Sequence, residues 1–188
     1  LIAAFKTSVD GKIEGPHGYA DWVDAWSEDY DLSQRIDACL LGAGMYPGYE
    51  QYWTAIQERP GEPLPMTAKL PTPAEVEWAR FAARTPHYVL SSTITSASWP
   101  DTKIIRALEA VKALKMQPGK DIYLMGGARL AASLIEAGLV DELRLIAYPL
   151  IAGDGRSLFP NAQPRTPLEL IDVRKLQHGR VGMSYAMR

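Results

Sequence analysis

The fold is indicated first by residues 121–130, which read Asp121-Ile122-Tyr123-Leu124-Met125-Gly126-Gly127-Ala128-Arg129-Leu130. The apolar first half predicts a buried strand, and the helical spacing of Leu130, Leu134 and Ile135 predicts a helix that ends at Gly138. Two glycines at such a turn let the backbone approach a phosphate, whose negative charge the free N–H groups of the helix start favour. Tight packing is the alternative explanation of the Gly-Gly pair, and the turn alone leaves both open.

Similar strand and helix patterns alternate along the rest of the chain. We predict strands near 1–8, 37–42, 86–91, 102–106, 121–125 and 142–150. We predict further helices from Ser27, with Glu28 and Asp29 in the first turn, over 73–83, and through Leu108, Val111 and Leu114. This alternation favours an α/β fold with a mostly parallel sheet. Residues 168–177 and 181–187 flank His178-Gly179, a two-residue turn suited to a hairpin, so the sheet should finish antiparallel.

Composition predicts one domain over residues 1–188 that needs no metal or disulfide. The chain has 188 residues, 47% of them hydrophobic, and a net charge of -2 from 20 basic and 22 acidic residues. It has no Lys/Arg run, so we expect neither a nucleic-acid nor a membrane partner. The single cysteine, Cys39, lies in an apolar stretch and fits a small buried residue, and the three histidines have no metal-ligand spacing. A cytoplasmic, metal-free protein is therefore expected.

A proline-rich segment lies between Glu58 and Pro73. Its proline density excludes a helix or a central strand, so we predict a loop. Two roles of this loop remain possible from the sequence: an inert surface connection or a lid over the substrate.

Two more strand ends carry small or hydroxyl residues. Gly42-Ala43-Gly44 follows one predicted strand and Ser91-Ser92-Thr93 another. The carboxyl ends of parallel strands lie along one edge, so these segments and Gly126-Gly127 could converge on one dinucleotide. The Gly-x-Gly-x-x-Gly fingerprint of the Rossmann fold is missing from the first turn, which reads Thr7-Ser8-Val9-Asp10-Gly11-Lys12-Ile13. By itself that turn fits an ordinary Asp-Gly turn.

Six motifs, in order, resemble one known family. They are Ser8-Val9-Asp10-Gly11-Lys12, Asp37-Ala38-Cys39-Leu40-Leu41-Gly42, Val89-Leu90-Ser91-Ser92-Thr93, Met125-Gly126-Gly127, Gly138-Leu139-Val140-Asp141-Glu142-Leu143 and Gly153-Asp154-Gly155. The chain resembles, over nearly its whole length, reductases with the dihydrofolate reductase fold, in the branch of the C-terminal reductase domain of the bifunctional riboflavin-biosynthesis deaminase-reductase. The resemblance implies a three-layer α/β fold, with helices on both faces of a mixed sheet and an antiparallel C-terminal hairpin. It also implies NADPH as cofactor, no metal or flavin, and a homodimer.

The resemblance also implies roles for particular residues. Ser8, Lys12 and Met125 would lie beside the substrate, and Trp22 beside the nicotinamide, although a core or dimer-interface tryptophan is an equal alternative. Asp10 is the candidate proton donor, with an ordered water as the alternative. The remaining cofactor-binding candidates are Gly42, Ala43, Gly44 and Met45 and Gly126, Gly127, Ala128, Arg129 and Leu130 at the pyrophosphate, and Ser91 and Ser92 at the adenosine ribose or its phosphate.

Two departures from the family pattern bear on function. Relatives that reduce the riboflavin pyrimidine usually have an acid where this chain has Met125, which weakens the riboflavin assignment. Relatives also commonly have Thr, sometimes preceded by Arg, where this chain has Ala43-Gly44-Met45. The phosphates of the cofactor would then meet mostly main-chain donors. This weakens the expected preference for NADPH over NADH.

These observations predict an NADPH-dependent reductase that transfers a hydride to a small pyrimidine- or pterin-like heterocycle. The resemblance makes it similar to 5-amino-6-(5-phosphoribosylamino)uracil reductase of riboflavin biosynthesis. The alternative is a non-catalytic dimeric nucleotide-binding module, which Met45, Met125 and the lack of a convincing acid would suit.

Overall fold

A computed structural model describes residues 1–23, 30–159 and 165–188. The helix predicted from Ser27, with Glu28 and Asp29, lies outside these residues. The described strands are β1 (Ile2–Ser8), β2 (Ile36–Gly42), β3 (His87–Leu90), β4 (Thr102–Ile105), β5 (Asp121–Gly126), β6 (Glu142–Tyr148), β7 (Leu168–Lys175) and β8 (Val181–Met187). The helices are α1 (Tyr46–Glu58), α2 (Pro73–Ala82), α3 (Leu108–Lys115) and α4 (Ala128–Glu136), with a 3₁₀ turn at Gln177–Gly179.

The strands form a mixed eight-stranded sheet in the order β4-β3-β2-β5-β1-β6-β8-β7. β1 pairs in parallel with β6, and β3 pairs in parallel with both β2 and β4. β8 runs antiparallel to β6 and β7. The predicted fold class is therefore confirmed as an α/β protein with a mostly parallel sheet and an antiparallel C-terminal hairpin.

The chain divides into two compact units. Unit 1 holds the described residues up to 23 and those from Leu124 onward, and unit 2 runs from Tyr30 to Tyr123 among the described residues. Within unit 1, six of the seven β1 residues are buried, which is typical of a strand covered on both sides. Whether residues 1–188 behave as one domain stays a prediction.

Sequence signals explain where two of the helices begin and end. α2 starts with a capping box, because the Thr72 side chain accepts from Glu75 N–H and the Glu75 carboxylate accepts from Thr72 N–H. α4 is followed by Gly138, which lies two residues beyond its last residue Glu136 and whose φ of +65° is the left-handed conformation that glycine adopts without strain. Leu139 N–H then donates to the Leu134 carbonyl, which completes a Schellman cap.

Aromatic residues form the core of unit 2. His87 is fully buried at the start of β3, and its Nε2 lies 2.7 Å from the Tyr49 hydroxyl and its Nδ1 2.6 Å from the Thr85 carbonyl oxygen. The rings of Tyr49 and Trp99 pack on it, with centroids 5.4 and 5.9 Å away. The cluster continues through Trp53, Trp78, Tyr52 and Tyr123.

Three sequence expectations need correction. Residues 46–58 form α1, a helix that we did not predict. We missed it because Pro47 and Gly48 interrupt the helical pattern at its start. The predicted two-residue turn at His178-Gly179 is a three-residue turn, closed by a hydrogen bond from Leu176 N–H to the Arg180 carbonyl. β6 ends at Tyr148 rather than at residue 150, because the chain then turns towards the first loop.

The proline-rich segment is a loop, as predicted. Residues 59–72 lie between α1 and α2 without regular structure. Leu64 is buried at 3% exposure, and its carbonyl accepts from Ala68 N–H, so the segment folds into a turn around this side chain. Its proposed role as a lid stays a prediction.

Candidate functional site

The turn after β1 in unit 1 is organised by Ser8 and Asp10. Ser8 is buried, and its hydroxyl donates to Asp10 Oδ1 at 2.6 Å while accepting from Lys12 N–H at 2.9 Å. The Asp10 carboxylate also accepts from the main-chain N–H groups of Ala152 and Gly153, each at 3.0 Å. One exposed side chain therefore fastens the first turn to the loop that follows β6.

These hydrogen bonds stabilise the ionised form of Asp10 and lower its pKa. The bond from Ser8 is the largest cause, followed by the bond from Ala152 N–H, and together they lower the pKa of Asp10 to about 2. A carboxyl group with this pKa carries no proton to give near neutral pH. The arrangement therefore suits an anion that holds a loop better than a proton donor, although the catalytic role of Asp10 stays an untested prediction.

Further contacts join the same two segments, which we call the clasp (residues 8–15 and 150–158). Val9 N–H donates to the Leu150 carbonyl, and Lys12 Nζ donates to Ser157 Oγ at 3.2 Å. At Gly155, φ is +117° and an added Cβ would lie 1.9 Å from the Glu14 carbonyl oxygen. Only glycine fits there. The motif Gly153-Asp154-Gly155 carried part of the family resemblance, but its clasp role was missed because its partners lie about 140 residues away.

The turn after β5 carries the double glycine in unit 1. The Gly126–Gly127 peptide is cis, and Gly126 is buried with φ +147°. Gly127 caps α4, where no side chain caps the helix start. Gly127 has a φ of -96°, and an added Cβ there would meet nothing within 4 Å. Neither backbone conformation nor packing thus requires glycine at 127, which argues against the tight-packing explanation at this residue.

The side chains around this turn divide by exposure. Ala128 and Leu130 are buried at 2% and 8% exposure, so only their main-chain N–H groups could meet a ligand. Arg129 is exposed, and Met125 is half-buried.

Trp22 is half-buried in unit 1, and its indole Nε1 is buried with no hydrogen-bond partner among the described residues. Its ring lies beside Gly15, where an added Cβ would be 3.6 Å from Trp22 Cζ3. A buried donor without a partner is costly, so a ligand acceptor at this position would stabilise it. This geometry is compatible with a place for Trp22 beside the nicotinamide and also with a core or dimer-interface tryptophan.

Unit 2 contains the other predicted cofactor residues. Gly42 ends β2 opposite Leu90, the last residue of β3, so the parallel pairing brings Gly42–Met45 and Ser91–Thr93 to the same end of these two strands. Gly44 is exposed, and an added Cβ there meets nothing within 4 Å. Ala43 and Met45 are half-buried, and α1 begins without a side-chain cap. The convergence of these turns with Gly126–Leu130 stays a prediction.

The two predicted serines differ in what they can bind. Ser91 is buried, and its hydroxyl accepts from the N–H groups of Thr93 and Ile94 at 3.1 and 2.8 Å, so it shapes the turn. Ser92 is exposed. Arg106, which we did not single out, donates from Nη1 to the Ser91 carbonyl at 2.7 Å and is itself exposed. Its guanidinium therefore lies beside the turn at Ser91. The sequence did not indicate this contact, because Arg106 follows β4 whereas the serines follow β3.

Two other expectations concern Cys39 and metals. Cys39 is fully buried in β2, and burial raises the pKa of its thiol, which fits a core residue. Within the described ranges, no three His, Cys, Asp or Glu side chains are placed to hold a metal ion. None of the helices that the structure describes could cross a bilayer.

The fold and the glycine-bearing strand ends define an α/β protein with a mostly parallel sheet and an antiparallel C-terminal hairpin. The chain belongs to the RibD C-terminal domain family, whose model matches residues 1–181. This family includes the reductase domain of riboflavin-biosynthesis enzymes, as the sequence resemblance predicted.

Two relatives illustrate the range of similarity. The uncharacterized protein YyaP of Bacillus subtilis (strain 168) is 32% identical over 191 residues, covering 98% of this chain and 93% of YyaP. The riboflavin biosynthesis protein RibD of Mycobacterium tuberculosis (strain H37Rv) is 25% identical over 158 residues, which cover 79% of this chain and 42% of RibD. The similarity to RibD thus covers less than half of that protein.

Solved structures share the fold. A pyrimidine reductase-like protein from Corynebacterium diphtheriae matches with a TM-score of 0.61 at 17% identity, over 100% of this chain and 91% of that one. A RibD from Acinetobacter baumannii matches with a TM-score of 0.64 at 15% identity, over 100% of this chain and 57% of that one.

Proposed function

We propose that this protein is an NADPH-dependent reductase of a small pyrimidine- or pterin-like heterocycle. Family membership supports the reductase class. The observation that carries the cofactor proposal is Gly127, where glycine is required by neither φ nor packing and space lies open at the start of α4. A pyrophosphate close to the backbone would occupy the space that a side chain at this position would otherwise take.

The residues of unit 1 suit the nicotinamide end of the cofactor and the substrate. When bound, NADPH supplies the hydride. Trp22 Nε1 would donate a hydrogen bond to the ligand, and Met125 would present an apolar surface beside it. Ser8 and Asp10 would hold the first turn in place, and Lys12 would face the substrate from that turn. Because Asp10 stays ionised, the proton that the substrate needs would come from water.

Unit 2 suits the adenosine phosphate end. Ser92 is exposed, and the guanidinium of Arg106 binds the carbonyl of the preceding residue, Ser91. Together the two side chains would suit the extra phosphate that distinguishes NADPH from NADH. Some relatives have an arginine after the strand that corresponds to β2, and this chain lacks it. Arg106, which follows β4, would supply the positive charge instead. We further propose that the protein acts in the cytoplasm.

The first experiment tests Gly127. Gly127→Ala should raise the Kd for NADPH roughly tenfold or more, measured by tryptophan fluorescence titration, because the methyl group would occupy the phosphate's space. Gly61→Ala is the matched control, since an added Cβ at this exposed loop glycine also meets nothing within 4 Å. Equal NADPH affinity in both variants and the wild type would remove the proposed role of Gly127.

A second experiment tests cofactor preference. Arg106→Gln should weaken NADPH binding by roughly tenfold and leave NADH binding unchanged, because only NADPH carries the phosphate that the guanidinium would meet. An equal loss for both cofactors would instead assign Arg106 to the shape of the Ser91 turn.

The low pKa of Asp10 favours one alternative, a non-catalytic dimeric nucleotide-binding module, since it makes the one candidate proton donor a poor acid. NADPH oxidation should be followed with 5-amino-6-(5-phosphoribosylamino)uracil and with a panel of pterins and pyrimidines. Oxidation that depends on any of these substrates rules the alternative out. Tight NADPH binding with no oxidation across the panel supports it.

A further inference from the structure

The loop that connects β3 to β4 in unit 2 is rich in exposed hydroxyl groups. We call residues 91–101 the hydroxyl loop; its exposed hydroxyl residues are Ser92, Thr93, Thr95, Ser96 and Ser98. Because β3 and β4 are parallel neighbours, the loop runs back from the end of one strand to the start of the next. It contains no helix, so contacts with neighbouring elements have to hold its shape.

The start of the hydroxyl loop is held from the strand side. Ser91 N–H donates to the Ile105 carbonyl at 3.1 Å, and the Ser91 hydroxyl accepts from Thr93 N–H and Ile94 N–H. Arg106 Nη1 donates to the Ser91 carbonyl at 2.7 Å. These contacts fix the first residues of the loop, among them the exposed Ser92.

The end of the hydroxyl loop is held by Glu50, a residue of α1. Glu50 Oε1 accepts from Ser98 N–H at 2.5 Å and from Trp99 N–H at 2.9 Å. The same oxygen accepts from the Tyr46 hydroxyl at 2.5 Å. Burial opposes the ionisation of Glu50, but the three donated hydrogen bonds outweigh it and lower the pKa of this carboxyl. Hydrogen bonds to an ionised acceptor are stronger than neutral ones, so this is a firm attachment.

Two aromatic residues support this attachment. Trp99 is 2% exposed, and its ring packs on those of Tyr49 and His87 with centroids 5.6 and 5.9 Å away. Burial and the hydrogen bond to Glu50 raise the pKa of Tyr46 to about 12, so its hydroxyl keeps the proton that it donates. The end of the hydroxyl loop therefore has a defined place on α1.

The same helix begins at the glycine turn after β2. Tyr46 is the first residue of α1 and directly follows Gly42–Met45, a segment that we assigned to the pyrophosphate. Met45 N–H donates to the Gly42 carbonyl, and Tyr49 N–H donates to the Met45 carbonyl, so turn and helix are continuous. Glu50 thus joins the helix that starts at one proposed cofactor segment to the loop that carries the other.

We propose that Glu50 is a positioning residue for the cofactor, which holds the hydroxyl loop against α1 in the shape that binds the adenosine phosphate of NADPH. This inference rests on the proposed function and adds a residue that acts through the loop. A free loop loses conformational entropy when its hydroxyl groups bind a phosphate, and a loop that is held at both ends in advance loses less. Removal of Glu50 releases one of these ends, so the cost of ordering the loop falls on binding.

The first experiment measures the Kd of the full chain for NADPH and for NADH by calorimetry. Glu50→Ala should raise the Kd for NADPH roughly tenfold or more and the Kd for NADH less than about threefold, because only NADPH carries the phosphate that the loop would meet. Glu50→Gln keeps an oxygen that accepts from Ser98 and Trp99, so it should retain most of the affinity. Glu58→Ala removes an exposed glutamate at the end of α1 and is the matched control, with unchanged affinities.

The second experiment needs no ligand and therefore separates this proposal from the proposed function. Amide exchange at Ser98 and Trp99 should be faster by on the order of tenfold in Glu50→Ala and unchanged in Glu58→Ala. If the wild type binds neither dinucleotide, the proposed function fails and the cofactor role of Glu50 fails with it. Faster exchange in Glu50→Ala would in that case still show that Glu50 holds the loop.

Three results would overturn the proposal. The first is an unchanged Kd for NADPH in Glu50→Ala, and the second is an equal loss of affinity for both cofactors, as a general structural role predicts. The third is tighter NADPH binding by Glu50→Gln, because the carboxylate would then repel the phosphate. Circular dichroism checks that each variant folds. If Glu50→Ala does not fold, Tyr46→Phe removes one donor to Glu50, keeps the ring, and should show a weaker form of the same selective loss.

Discussion

Acidification should destabilise the protein through His87, the histidine buried in the core of unit 2. A carbonyl oxygen only accepts, so Nδ1 carries the proton that is donated to Thr85, and Nε2 accepts from the Tyr49 hydroxyl. The neutral ring is therefore fully hydrogen-bonded. A second proton on Nε2 would displace the donated Tyr49 proton and place a charge among Tyr49 and Trp99.

The size of the effect follows from the pKa of His87. Burial lowers this pKa from 6.5 to about 4, although the Thr85 carbonyl and Asp101 oppose the shift. The unfolded chain therefore binds a proton at a higher pH than the folded chain does. The stability that His87 contributes is present above pH 6.5 and is lost as the pH falls towards 4, by roughly 2 to 3 kcal/mol near pH 4.5.

The assay is urea unfolding followed by tryptophan fluorescence, since Trp99 packs directly on His87. The free energy of unfolding should be measured near neutral pH and near pH 4.5 for the wild type and for His87→Gln, which does not titrate. The wild type should lose roughly 2 to 3 kcal/mol more than the variant between the two conditions. If the two proteins lose equal stability, the reasoning about the buried neutral ring is refuted.

Two further predictions concern the clasp. Gly155→Ala should lower the free energy of unfolding by about 2–4 kcal/mol in urea titrations, because its Cβ would overlap the Glu14 carbonyl at a strained φ. Gly153→Ala, with a φ of +69° and open space around the added Cβ, should lower the free energy of unfolding by only about 1–2 kcal/mol. Equal losses of stability in the two variants would show that the overlap of the methyl group added at position 155 with the Glu14 carbonyl is relieved without cost. Asp10→Asn should speed amide exchange at Ala152 and Gly153, because a neutral amide accepts their hydrogen bonds more weakly. Unchanged exchange rates would show that Asp10 does not hold this loop in place.

Much of the fold was predictable because its signals are local. Buried strands such as β1 and β2 contain runs of four apolar residues, and α2 and α4 carry caps that short windows reveal. Helix α1 was missed because its buried side chains are mainly Tyr46, Tyr49, Tyr52 and Trp53, and its first turn contains a proline and a glycine. Their role emerges only in the aromatic core.

The candidate site was predictable in part. The glycine turns and the exposed Ser92 followed from strand ends, whereas Arg106 follows a strand 15 residues later and meets Ser91 only through the pairing of β3 with β4. Asp10 illustrates the opposite case. The sequence marks it as an acid near the expected pocket, but only the structure shows the three hydrogen bonds by which its carboxylate fastens a loop.

By itself, the sequence determined the α/β class, the strand order along the chain, the antiparallel finish and the family, because these depend on short patterns of polarity and on motifs in a fixed order. Only the tertiary structure decided the hydrogen-bond partners of Asp10, the necessity of glycine at 155 and the exposure of the apolar side chains of β7. Each of these depends on atoms brought together from distant parts of the chain, and local patterns carry no record of such contacts.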